Sequence, residues 1–188
     1  TGVQTCALPI SALGASPAKV QLTLSAYLIG FSIGQIVYGP VSDALGRKPI
    51  LVAAFGLFIL ATLACAAATS VEMLIFARAL QAFGAAGPII LARTIVRDLY
   101  HGPRAGREMS MMGTIMGITP IVAPILGGVL QVAFGWRSIF LAMAAGGIVL
   151  ALIAWLRVPE TNQYRNRDHL SLAAIFESYK IVLRNKAY

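Results

Sequence analysis

Charged positions in this chain are gathered into short polar gaps between long uncharged runs. Val20 to Ser42 holds no Asp, Glu, Lys or Arg, and Pro49 to Val71 holds none either; each run is 23 residues. About 20 apolar residues in a helix cross the hydrocarbon core of a bilayer. The polar stretch between the two runs, Gly39 to Pro49, therefore reads as a tight connection between two membrane spans. The pattern continues with a third span from about Met73 to Val96, a fourth within Met109 to Trp136 (28 residues without a charge), and a fifth from Ser138 to Leu156. In lipid the backbone must satisfy its own hydrogen bonds, which leaves helices or a closed barrel. These runs are too long and uniform for alternating barrel strands. The prediction is an all-α membrane protein with five transmembrane helices.

Local signals sharpen the boundaries. Pro17 and Pro49 suit first turns of helices. Thr69 or Ser70 is a suitable N-cap, with Glu72 in the positive first turn that follows. Gly30 and Gly34, four apart, are expected to let a neighbouring helix approach closely. Trp136 and Trp155 fall at the two ends of the fifth span, as interface aromatics do.

Composition supports lipid as the solvent: 58% of residues are hydrophobic and 12% charged, against about a quarter charged in soluble domains. The net charge of +8 could point to nucleic acid, but the positives sit between apolar runs, so no nucleic-acid partner is expected. Twelve of the fifteen Lys and Arg residues fall on one side: Arg47 and Lys48; Arg93, Arg97, Arg104 and Arg107; and six in the tail after residue 156. The positive-inside rule makes that side cytoplasmic, with segments 41–48, 97–108 and 158–188. The two cysteines, Cys6 and Cys65, form no disulfide framework or metal-ligand spacing.

The ends read differently. Residues 1–10, TGVQTCALPI, match a common sequencing-library adapter translated in one frame and are expected to be an artefact outside the fold. Residues 11–18 read as an extracytoplasmic loop, and 19–157 as the five-span body. In the tail, Leu172, Ile175, Phe176, Tyr179, Val182 and Leu183 share a helical face, with Lys180, Arg184 and Lys186 nearby. An amphipathic helix on the membrane surface and an ordinary solvated linker helix fit this equally.

Three clusters carry candidate chemistry. In the first polar gap, Gly39 would permit close packing, Gly46 a tight turn, and Asp43 a carboxylate for a helix end or an arginine; Arg47 and Lys48 either share that role or merely fix topology. In the third span, Arg78 is an ionisable residue inside the membrane, which usually faces a cavity or partner; Gln81 follows one turn later. The other reading has Arg78 snorkelling to the outer interface. In the fourth span, Gly113, Gly117, Pro120, Pro124, Gly127 and Gly128 would bend and thin the helix for close, rocking contact.

These clusters resemble signatures of the major facilitator superfamily. The Gly39, Asp43, Gly46, Arg47, Lys48 set resembles the loop between its second and third helices, with Ala44 where arginine often stands. Leu74, Arg78, Gln81, Gly84, Ala85 and Ala86 resemble its fourth helix, with Ala82 in place of a usual glycine. Gly117, Ala123-Pro124 and Gly127-Gly128 resemble the antiporter motif of its fifth helix, with Ala123 in place of glycine. Leu24-Ser25-Ala26-Tyr27, Gly34-Gln35, Tyr38-Gly39-Pro40, Gly46-Arg47-Lys48-Pro49 and Arg97-Asp98 look most like the Bcr/CflA branch of drug:proton antiporters. The resemblance implies helices two to six of a twelve-helix fold, then the linker between its halves, in a bacterial inner membrane. It further implies drug export in exchange for protons, a small hydrophobic or cationic substrate, a switch role for the Asp43 loop, and Arg78 in proton coupling or substrate recognition. A chain lacking the C-terminal half is expected to be inactive alone.

Other classes fit less well. A metabolite or sugar uptake symporter is the nearest alternative, opposed by the Gly/Pro pattern of the fourth span. An intramembrane enzyme would need paired catalytic groups inside spans, whereas His101 and His169 lie in polar segments and no carboxylate sits mid-span. No Walker-type phosphate loop is present, and no cofactor is implied.

Overall fold

The computed structural model describes residues 16–162. Within them the chain forms five helices: α1 (Pro17–Leu45), α2 (Arg47–Ala66), α3 (Val71–Leu99), α4 (Pro103–Phe134) and α5 (Arg137–Arg157). All five are long and apolar enough to cross a membrane. The adapter-like residues 1–10, most of the loop at 11–18 and the amphipathic segment of the tail lie outside the described residues.

The polar gap at Gly39–Pro49 is narrower than the charge pattern predicts. α1 continues through Pro40 to Leu45, and α2 starts at Arg47 rather than Pro49. Only Gly46 lies between them. A proline disturbs the helical turn before it, not the residues after it, so Val41 to Leu45 remain helical. Ser42 Oγ donates back to the Gly39 carbonyl at 2.9 Å. The chain reverses because Gly46 adopts φ 108°, ψ 151°, a region essentially closed to residues with a Cβ. The segment expected at 97–108 shrinks likewise: α3 runs to Leu99 and α4 begins at Pro103, leaving residues 100–102. Most of the segments expected as loops at 41–48 and 97–108 are thus helix ends.

Helix starts follow the sequence signals where side chains can cap. Ser16 Oγ accepts from the Lys19 amide at 3.4 Å, and Ser70 Oγ from the Met73 amide at 3.1 Å.

α3 is the centre of the packing. It lies against α1 on one side and α2 on the other, and α5 packs on α2. Small residues set these distances. A Cβ on Gly30 would collide with the Ala79 backbone, and one on Gly34 would come within 2.7 Å of the Ala86 Cβ. Gly84 answers from α3: its Cβ would lie 2.6 Å from the Phe58 amide nitrogen of α2. Helices in lipid gain little from hydrophobicity and associate through such close packing. α4 stands apart. It meets α5 at the short turn through Gly135, where Ser138 Oγ donates to the Leu130 carbonyl at 3.0 Å. Toward α3, Arg93 Nη2 lies 3.7 Å from Met116 Sδ. No residue of α4 is fully buried among the described residues.

Candidate functional site

Two arginine-centred clusters lie at different depths along α3 and its neighbours. The first is within the bundle. Arg78 sits seven residues into α3, about 10 Å along the axis at 1.5 Å per residue. Its Nη1 donates to Gln81 Oε1 at 2.8 Å. Gln81 is fully buried, and its Nε2 donates across to Thr62 Oγ1 on α2 at 2.9 Å. The Thr62 hydroxyl in turn donates to the Phe58 carbonyl at 2.6 Å. Cys65 Sγ lies 4.0 Å from Gln81 Oε1. The guanidinium also stands 4.6 Å over the Tyr27 ring of α1 and 5.9 Å from the Phe140 ring of α5, within cation–π range. Arg78 therefore reaches along α3 toward Gln81, into the bundle, rather than outward as a snorkelling side chain would.

No carboxylate pairs with Arg78 among the described residues. A guanidinium keeps its charge in proteins, so Arg78 contributes a fixed positive charge. It can attract, orient and repel, but it cannot itself load and release a proton.

The second cluster closes the Arg47 end of the bundle. Arg47 forms an ion pair with Asp43 one turn earlier across Gly46. Its Nε lies 3.2 Å from Asp98 Oδ2 at the end of α3, and its Nη1 donates to Ser42 Oγ at 2.6 Å. Its side chain is only 12% exposed. Lys48, one residue on, has no ion pair among the described residues. Gly46 does serve the tight turn. Gly39 does not serve close packing among the described residues: a Cβ there would meet none of them within 4 Å.

The fourth-span motif behaves the same way. A Cβ on Gly113, Gly117, Gly127 or Gly128 would meet nothing within 4 Å among the described residues, and Pro120 and Pro124 lie inside a continuous α4. The described residues bring none of these α4 positions into either arginine cluster; Gly39 joins the Arg47 cluster only through its carbonyl, which accepts from Ser42 Oγ.

Sequence reasoning missed the partners more than the centres. Thr62 is the one hydroxyl-bearing residue between Pro49 and Ala68 and could have been flagged on that ground. Tyr27 appears in a family-like motif without an assigned role. Glu160, Thr161 and Asn162, just past α5, reach back to the Arg47 cluster, and nothing in the linear pattern marks them.

Comparison with known proteins gives the context. Residues 2–188 match the family model described as Major Facilitator Superfamily. Among curated relatives, an uncharacterised MFS-type transporter, YdgK, of Bacillus subtilis is 38% identical over 179 residues, 94% of this chain and 44% of the relative. A bicyclomycin resistance protein homolog of Haemophilus influenzae is 32% identical over 174 residues, 93% of this chain and 44% of the relative. Multidrug resistance protein D of Escherichia coli is 30% identical over 178 residues, 94% of this chain and 44% of the relative. The chain spans less than half the length of these relatives.

Proposed function

The chain belongs to the Major Facilitator Superfamily, and we propose that it forms part of a proton-driven exporter of small drug-like molecules. It is a multi-pass membrane protein, and the resistance names of its relatives favour export over uptake. The observation that carries the reading is Arg78. A charge inside a span is costly and is kept where it faces a partner or a substrate path; here it is held by an amide and two rings.

In this reading Arg78 is a fixed positive pole near the transport path. It lowers the cost of ionising a carboxylate contributed from elsewhere in the transporter, and so raises that group's readiness to give up a proton. Gln81 and Thr62 hold the guanidinium in place. A hydrophobic substrate tolerates that field; a cationic one needs a carboxylate to offset it. The Arg47 end faces the cytoplasm, as the distribution of Lys and Arg favours. There Gly39, Asp43, Gly46, Arg47 and Lys48, around the turn at Gly46, act as the conformational switch, and the Gly/Pro-rich α4 rocks against helices outside this chain. The 188-residue chain alone does not transport.

The test uses the complete reading frame that carries this chain, expressed in a bacterium stripped of its own efflux pumps. Resistance to several hydrophobic drugs should rise, be abolished by a protonophore, and be lost in Arg78→Ala. Uptake of a nutrient instead of drug export, or export indifferent to the proton gradient, would sink the reading.

A further inference from the structure

The segment leaving α5 does more than connect. Val158 still donates to the Ala154 carbonyl at 3.0 Å, and the chain then turns across the Arg47 end of the bundle. Glu160 Oε1 accepts from the backbone amide of Arg47 at 2.9 Å and from the Asn162 amide at 3.0 Å. Thr161 Oγ1 donates to Asp98 Oδ2 at 3.2 Å, the same oxygen that meets Arg47 Nε. Asn162 Nδ2 donates to the carbonyls of Asp43 at 2.6 Å and Ser42 at 3.3 Å.

Two of these bonds meet needs that the bundle's own helices leave open. The N-cap of α2 is Gly46, which has no side chain to cap it, and no acidic residue lies in the first turn. The first amides of a helix need acceptors, and its positive end favours an anion. Glu160 supplies both, from more than a hundred residues away. The last carbonyls of α1 face the mirror-image shortage: Asn162 donates to the Asp43 carbonyl, and adds a second donor to the Ser42 carbonyl, which already accepts from the Gly46 amide at 3.0 Å. Thr161 fixes the carboxylate that faces Arg47. Three consecutive side chains thus address the end of α1, the start of α2 and the end of α3.

We propose that Glu160, Thr161 and Asn162 form a clamp that positions Arg47 between Asp43 and Asp98, and that couples the chain after α5 to that ion network. These are positioning residues: they act through Arg47 and its partners. A displacement of residues 160–162 releases the Arg47 amide and the Asp98 carboxylate together. The word switch for this loop rests on the transport reading above; the clamp itself does not.

The test is residue-resolved hydrogen exchange on the full 188-residue chain in lipid nanodiscs, following the Arg47 backbone amide and its side-chain Nε–H. Glu160→Ala should speed both by about tenfold, the scale of one lost charge-assisted hydrogen bond. Amides from Leu51 to Ala61 should stay unchanged. Glu160→Gln, which keeps an accepting oxygen, should restore most of the backbone protection. An Arg47 amide unmoved by Glu160→Ala overturns the clamp; so does faster exchange spreading through Leu51–Ala61, because Glu160 would then support the fold at large. Should Glu160→Ala fail to fold, Thr161→Val keeps the shape and removes only the bond to Asp98; it must loosen the Arg47 Nε–H, and an unmoved Nε–H overturns the proposal. These readouts need no transport. Drug resistance indifferent to Arg47→Ala would instead count against the switch role and leave the clamp standing.

Discussion

Arg47 and Arg78 are the same side chain in two opposite settings. Arg47 sits between two carboxylates, Asp43 and Asp98, and a third, Glu160, takes its backbone amide. Its charge is consumed in holding helix ends together. Arg78 has an amide oxygen and two aromatic rings, and no carboxylate among the described residues. Its charge is held in position but not neutralised. The difference follows from depth. A helix end offers water, backbone termini and room for acids, whereas a mid-span acid would carry its own desolvation cost. A neutralised arginine is suited to clamping; an unneutralised one is suited to acting on something else.

The largest expected effect breaks the inner setting by separating its helices. Gly30 lies against the backbone of Ala79, the neighbour of Arg78. Gly30→Leu must push α1 off α3 and lift Tyr27 from the guanidinium, with an expected loss of about 3 kcal/mol. A lowered unfolding midpoint in nanodiscs checks this; an unchanged midpoint would mean that the α1–α3 contact does not set Arg78's surroundings.

Next in size is Gln81, whose replacement tests whether Arg78 depends on one neutral acceptor. Gln81→Leu leaves the guanidinium without its hydrogen bond and should cost about 2 kcal/mol. Gln81→Glu sharpens the comparison, because it gives Arg78 the carboxylate that Arg47 already has. The Thr62 hydroxyl can turn to donate to it, so stability should stay within about 1 kcal/mol of the parent while drug resistance in the complete transporter falls. If Gln81→Glu leaves resistance intact, an unneutralised Arg78 is not what transport requires.

The smallest effect concerns the ring. Tyr27→Leu removes the face beneath Arg78 and should cost about 1 kcal/mol. Tyr27→Phe keeps the face and should be close to neutral in the same unfolding measurement. Equal losses from both would assign the role to the hydroxyl instead.

Much of this fold was legible in the linear pattern, and the reasons are local. Uncharged runs of 23 residues on either side of Gly39–Pro49 can only be spans in so apolar a chain. Ser70 and Pro17 announced helix starts because capping and proline geometry act within one turn. Gly30 and Gly34 announced a close helix contact because only a missing Cβ allows one. Reading polarity as loop failed at Val41–Leu45 and again at 103–108. Helices continue past a membrane surface into water, and polarity marks the surface, not the helix end. Gly39, Gly113 and Gly117 carry the same residue type as Gly30, yet no described neighbour approaches them.

The lipid solvent, the five spans and the two arginines on which the chemistry centres were already set by the linear chain. Those properties depend on composition and short-range periodicity. Which groups meet those arginines was decided only by the tertiary structure. Thr62 and Gln81 are 19 residues apart, Arg47 and Asp98 51, and Arg47 and Glu160 113. Helices packed side by side bring such positions together through their register and crossing, and a hydrogen bond between them leaves no periodic trace in the chain. Whether an arginine is neutralised or left charged is settled across those distances.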